Sequence, residues 1–176
     1  MISSTAYEER IAAILRELGI PTAYGSDRRM PLRPEAAELV SVGHDLYGRE
    51  QKLAPPAAGS WRTLRSAAER EGVELLLVSA FRSVDYQKQI WLRKLAAGEP
   101  VAQILRVNAA PGYSEHHTGR ALDLTTAGCE PLTEAFERTA AFAWLRERAR
   151  DFDFAMTYPR NNRFGIAFEP WHWAAM

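Results

Sequence analysis

Val73-Glu-Leu-Leu-Leu-Val-Ser79 is short, apolar and β-branched near both ends, so it reads as a buried strand. It divides the chain into two textures. Ahead of it the patterns are helical. Ile11, Ile14, Leu15 and Leu18 recur at helical spacing behind a capping box, Thr5-Ala-Tyr-Glu8, and Gly19 and Pro21 stop them. Pro34 suits the first turn of a second helix, with Ala36, Leu39, Val40 and Leu46 as its apolar side and Gly48 near its end. Pro55, Pro56 and Gly59 break the chain before a third helix, Trp61 to Arg70, capped by Ser60. Beyond Ser79, Ser83 caps a helix carrying Val84, Ile90, Trp91 and Leu95, and Val101, Ile104 and Leu105 extend another turn or two. Ala121-Leu-Asp-Leu124 reads as a second strand, and Thr139 to Arg150 as a helix. Phe154 to Tyr158 and Ile166 to Trp173 read as two strands joined by the polar turn Pro159-Arg-Asn-Asn-Arg163. This order predicts an α+β fold, a small and mainly antiparallel sheet flanked by helices. Residues 1–50 are expected to form a helical segment packed on a domain spanning 51–176.

The 176 residues are enough for one ordinary domain, and 47% hydrophobic composition with five Trp, six Tyr and seven Phe fills a core. Lys plus Arg equals Asp plus Glu at 22 each. That balance removes the long-range field a nucleic-acid binder uses, so no nucleic-acid partner is expected. No apolar run approaches the ~20 residues of a membrane span. Met1 to Arg10 has no apolar core and carries Glu8 and Glu9, unlike a secretory signal, so the chain as written is expected in the cytoplasm. A periplasmic or lysis-released location would require a leader or a lysis system. The single cysteine, Cys129, cannot form an internal disulfide and reads as a half-buried thiol.

Four histidines occur, at 44, 116, 117 and 172. His44 suggests no special role. The other three sit in two unusual stretches. In Ser114-Glu-His-His-Thr-Gly-Arg-Ala-Leu-Asp123, a glycine-hinged loop holds imidazoles, and Asp123 then stands between Leu122 and Leu124 in an apolar strand. A carboxylate there is costly to bury unless paired or bound to a metal. In Phe168-Glu-Pro-Trp-His-Trp173, Glu169 and His172 are embedded in aromatics. Two His and an Asp, with a free Glu nearby, are the components of a catalytic zinc site. Taken separately the stretches also fit a satisfied loop histidine with a cap, and a strand-end pair. A flat strand would point Glu169 and His172 to opposite faces, so a shared site requires the chain to turn between them, and Pro170 favours that.

The pattern Ser114-x-His116-x-x-Gly119-x-Ala121-x-Asp123, followed by Glu169-Pro-Trp-His172, resembles D-alanyl-D-alanine carboxypeptidases of the VanY type. These belong to the metallopeptidase group that includes lysostaphin-like enzymes and hedgehog domains. Ser79-Ala-Phe-Arg82-Ser83 with Tyr86-Gln87 is similar to the segment before that family's first metal motif, and Phe154-Ala-Met-Thr-Tyr158-Pro159 to the strand before its last. The likeness runs from about Leu53 to Trp173 and makes 51–176 a zinc peptidase domain.

The resemblance implies one zinc ion per chain, held by His116, Asp123 and His172, with His117 not a ligand. It makes Glu169 the base that activates the attacking water. Arg82 is implied at the substrate's terminal carboxylate or at the scissile carbonyl oxygen, with Ser114 and Gln87 holding the substrate end. The partner implied is a peptidoglycan-derived peptide ending in D-alanine, cut at a D,D or related L,D bond. D-Ala-D-Ala dipeptidases and phage-type endopeptidases share the motifs. A hedgehog-like zinc module without activity is the non-enzymatic alternative, and loss of the base would mark it. Glu169 is present. Arg28, Arg29, Arg120 and Arg160 are other cations able to meet a carboxylate, expected to be solvated.

Overall fold

The computed structural model describes residues 4–176. Met1 to Ser3, part of the stretch weighed as a possible leader, lie outside them. Helix α1 (Ser4–Glu17) buries Ile11, Ile14 and Leu15 and is followed by buried Leu18. Thr5 lies inside its first turn and is not its cap. A single helical turn, α2 (Tyr24–Asp27), follows.

The helix expected from Pro34 does not form. Residues 34–39 are irregular, and β1 (Val40–His44) pairs antiparallel with β2 (Glu50–Leu53), Val40 opposite Leu53 and Ser41 opposite Lys52. Asp45 explains this. Its carboxylate accepts the backbone N–H groups of Tyr47 and Arg49 and the Nε of Arg49, closing a turn that competes with helix. Leu46, expected on the apolar side, is exposed at the hairpin tip. The hairpin runs across residue 50.

Helix α3 (Pro55–Arg70) begins earlier than expected. Pro55 and Pro56 start it, since first-turn residues need no donor, and Ser60 sits within it. Strands β3 (Leu76–Ser79) and β4 (Ala121–Thr125) flank α4 (Val84–Ala96) and α5 (Val101–Val107). Ser83 caps α4 by accepting from the Tyr86 amide, and Thr139 caps α6 (Ala140–Arg148) by accepting from Phe142. Strand β5 (Phe154–Met156) pairs with β6 (His172–Ala175), Phe154 opposite Ala175. The last strand is therefore shorter and later than expected, and residues 157–171 form a long connection.

The four-stranded sheet has the order β3-β4-β6-β5 with every pair antiparallel. One face carries Leu77, Leu122, Leu124 and Trp173 into a core with Trp61 and Leu64 of α3 and Phe142 of α6. A second cluster joins Ile11 and Leu15 of α1 to Trp91 of α4 and Ile104 of α5, with Tyr24 and Tyr113. Because side chains alternate along a strand, Asp123 and His172 leave the sheet on the face opposite Leu122 and Trp173. They point toward the space between the two cores. No helix among the described residues is long and apolar enough to cross a membrane.

Candidate metal and active site

Asp123 and His172 are register partners on β4 and β6, which places their side chains side by side. His116 comes from the 3₁₀ turn Glu115–Thr118 just ahead of β4. Gly119 ends that turn at φ 64°, and a Cβ there would lie 2.8 Å from the Ala54 backbone nitrogen. Only glycine satisfies both the left-handed backbone and the close approach. Glu169 reaches the same space because the chain does turn. The His172 N–H donates to the Glu169 carbonyl at 3.1 Å, with Pro170 and Trp171 between them. Proline in second position suits such a turn.

His116, Asp123 and His172 each offer a ligand atom, and these atoms lie within 4.8 Å of one another in a fully buried group. The His116 Nδ1 is 2.5 Å from the Ala80 carbonyl, which can only accept, so Nδ1 carries the hydrogen. The lone pair of Nε2 then faces Asp123 Oδ2 at 3.2 Å, without a hydrogen-bond partner. A bare nitrogen lone pair against a carboxylate is repulsive unless a cation lies between them. Asp123 Oδ1 meets His172 Nδ1 at 3.1 Å. Two imidazoles and a carboxylate are donors that suit zinc, so the residues present fit the metal.

The electrostatics agree. Burial and the Arg82 charge hold His116 down to about 4, so it stays neutral. Burial opposes ionisation of Asp123, yet the His172 ring and the Arg82 charge keep its carboxyl well below the usual range. Burial disfavours a charged His172, but hydrogen bonds from its ring to Asp123 and Glu115 outweigh it and push the metal-free imidazole up to about 10. Glu169, 9% exposed, is raised to about 7 by burial, with Asp123 and Glu115 adding to the rise and His172 and Arg82 opposing it. A carboxyl raised this far is matched to proton transfer near neutrality.

These groups line a cleft of about 280 Å³ that also receives Arg82, Gln87 and Ser114. The Arg82 guanidinium lies 3.6 Å from Asp123 Oδ2, and its buried Nε has no partner. Its backbone is held twice: its N–H donates to the His116 carbonyl at 3.2 Å, and its carbonyl accepts from His117 Nδ1 at 2.7 Å. Gln87 donates to the Ala109 carbonyl and leaves its buried Oε1 unpartnered. Buried His117 stands outside the metal group, because Nδ1 serves Arg82 and Nε2 accepts from the Gly112 amide.

Of the other arginines weighed for a carboxylate, Arg29 is exposed as expected, while the remaining three engage protein groups. Arg28 donates to the carbonyls of Leu105 and Gly165, Arg120 to those of Ala175 and Met176, and Arg160 to Glu134 and Glu137. Cys129 is half-buried against the main core, and His44 is exposed on the hairpin. Two residues escaped the sequence reading. Glu115 meets His172 Nε2 at 3.0 Å, and Tyr158 packs its ring 4.8 Å from the His172 ring. Glu115 was visible only as a neighbour of His116, and nothing in its spacing signals a contact to residue 172.

The family described as VanY, D-alanyl-D-alanine carboxypeptidase, matches residues 50–175. The putative carboxypeptidase YodJ of Bacillus subtilis (strain 168) is 40% identical over 172 residues, covering 94% of this chain and 59% of that protein. The chain thus spans less than two thirds of that relative. The solved LdcB LD-carboxypeptidase, described in terms of peptidoglycan recognition, superposes with a TM-score of 0.71 and 32% identity over 82% of this chain and 71% of the other. The vancomycin-resistance D,D-pentapeptidase VanY, solved with Zn(II), superposes with a TM-score of 0.63 and 25% identity over 83% of this chain and 82% of its own.

Proposed function

This chain belongs to the VanY family of D-alanyl-D-alanine carboxypeptidases, and from that premise we propose that it hydrolyses the C-terminal D-alanine of peptidoglycan-type peptides with one zinc ion. The observation that carries the reading is the bare, buried Nε2 of His116 facing ionised Asp123 at 3.2 Å, with His172 in the same group. His116, Asp123 and His172 would hold the metal. When bound, zinc supplies a Lewis acid and a nucleophilic water at neutral pH.

The rest of the reaction falls to the protein. As the water oxygen adds to the peptide carbonyl carbon, Glu169 takes its proton. When the C–N bond breaks, Glu169 returns that proton to the leaving amine nitrogen. Arg82, with an unpartnered Nε in the cleft, meets the free carboxylate or the developing oxyanion. Its doubly held backbone fixes where that cation stands before substrate arrives. Gln87 Oε1 offers an open acceptor to a substrate N–H, and Ser114 lines the same cleft.

An L,D rather than a D,D bond is the second reading, favoured by the 32% identity to an LD-carboxypeptidase. Incubation of zinc-loaded protein with defined tetrapeptides and pentapeptides, with products identified by mass, separates the two. Loss of a single terminal D-alanine, abolished by a chelator and restored by zinc, is the expected result. Internal cleavage without release of D-alanine would instead make it an endopeptidase, and intact peptides with zinc fully bound would favour a binding module.

A further inference from the structure

We infer that Glu115 and Arg33 form an outer brace of the metal centre, in which Glu115 fixes the His172 ring with Nδ1 turned to the metal and Arg33 fixes Glu115. The inference rests on the zinc reading above and adds to it a positioning pair, one member of which lies outside the segment matched by the family.

Glu115 Oε2 lies 3.0 Å from His172 Nε2, and its Oε1 lies 3.1 Å from Arg33 Nη2. The Glu115 side chain is only 12% exposed. An ionised carboxylate accepts hydrogen bonds and cannot donate, so His172 Nε2 must carry the hydrogen. A metal-bound imidazole is neutral and keeps one N–H, so with that hydrogen held on Nε2 the nitrogen left for the metal is Nδ1, the atom that faces Asp123 at 3.1 Å. Glu115 thereby selects the tautomer and the ring orientation together. The two histidines are fixed by different devices. His116 is set by a neutral backbone carbonyl at Ala80, whereas His172 is set by a charge, which also makes its ring a stronger donor.

A negative charge so near Asp123 and Glu169 needs a counter-charge. Arg33 provides it, and its own position is fixed at both ends of its backbone. The Arg33 N–H donates to the Gly112 carbonyl at 2.7 Å, and the Tyr7 hydroxyl of α1 donates to the Arg33 carbonyl at 2.7 Å. A continuous chain of contacts therefore runs from α1 through Arg33 and Glu115 to His172. The family match begins only at residue 50, so this support enters the metal centre from the preceding segment.

The test measures zinc affinity by chelator competition in the full chain, together with side-chain ¹⁵N shifts of His172 in the zinc-loaded protein. Glu115→Ala is expected to weaken zinc about 10- to 100-fold. Glu115→Gln, which keeps a carbonyl acceptor and the side-chain shape, is expected to lose less, and Arg33→Met to lose affinity that Arg33→Lys partly restores. The shifts should report a hydrogen on Nε2 and coordination through Nδ1. Unchanged zinc affinity in both Glu115 variants, or coordination through Nε2, overturns the brace while leaving the zinc reading intact. Failure of the unmutated protein to bind zinc overturns both.

Discussion

Glu169 combines deep burial with proximity to two other carboxylates, and both leave a measurable trace without any substrate. Its carboxyl titrates at about 7 in the metal-free fold, against an ordinary 4.5. A raised carboxyl penalises the folded state where it is charged, so the cost is absent below about pH 4.5, grows through the interval and is complete above about pH 7. Glu169→Gln should therefore stabilise metal-free protein by up to ~3 kcal/mol at pH 8 and by little at pH 4. Thermal melts at the two pH values check this, and equal gains would remove the burial argument. The same variant should keep zinc and lose ~10²-fold or more in turnover. If zinc is lost instead, Glu169 is a ligand. For the histidines, His116→Ala should abolish zinc binding and His117→Ala should retain it, measured by metal content after gel filtration. Arg82→Ala should lower kcat/KM on a peptide acid and shrink its preference over the C-terminal amide, because the guanidinium left facing an amide is uncompensated. Comparable rates on acid and amide in the unmutated protein would assign Arg82 to the oxyanion. Asp123, Glu169 and His172 stood out as costly polar residues in an apolar strand and an aromatic cluster, whereas the choice of His116 over its neighbour His117 came from the family resemblance. Glu115 was not legible, since an acidic residue in a loop is ordinarily solvated and only tertiary structure brings residue 172 to it.

The elements around the site differ in how much of their form was written locally. Ser83 caps α4 as the sequence predicts, and Thr139, expected only as the first residue of its helix, turns out to cap α6. The hairpin of β1 and β2 defeated the reading of a helix from Pro34, because the Asp45 side chain, not the apolar spacing, decides the turn. The segment after Ile166 was legible as apolar but not as irregular: its backbone bonds go elsewhere, with Ala167 donating to Arg106 and Glu169 to Tyr158. That irregularity serves the site, since a regular strand would separate Glu169 from His172. Gly119 gives the sharpest test at this scale. Gly119→Ala must force a left-handed backbone and push against the Ala54 amide, so it should cost ~2 kcal/mol or more and weaken zinc binding by shifting His116. A variant with unchanged melting temperature and zinc affinity would show that the turn adapts and that the close approach is not needed.

At the scale of the whole molecule, the cleft lies between two separately packed cores. The sheet core with α3 and α6 supplies Asp123 and His172, and the cluster of α1, α4 and α5 supplies Gln87 and the wall near Val107 and Asn108. Ile104 is fully buried in that second cluster. Ile104→Ala should cost ~2–5 kcal/mol of stability and raise KM while leaving zinc affinity near that of the unmutated protein. A parallel loss of zinc, measured on protein shown to be folded, would mean that the two cores behave as one. The division makes the cleft a vice with one fixed and one compliant jaw. The fixed jaw keeps Asp123 and His172 in register across a paired sheet, and the compliant jaw is helical packing that tolerates volume-conserving change. On the proposed function, peptide preference can therefore drift through substitutions in helices remote from His116, Asp123 and His172, while the hydrolytic chemistry stays under independent selection.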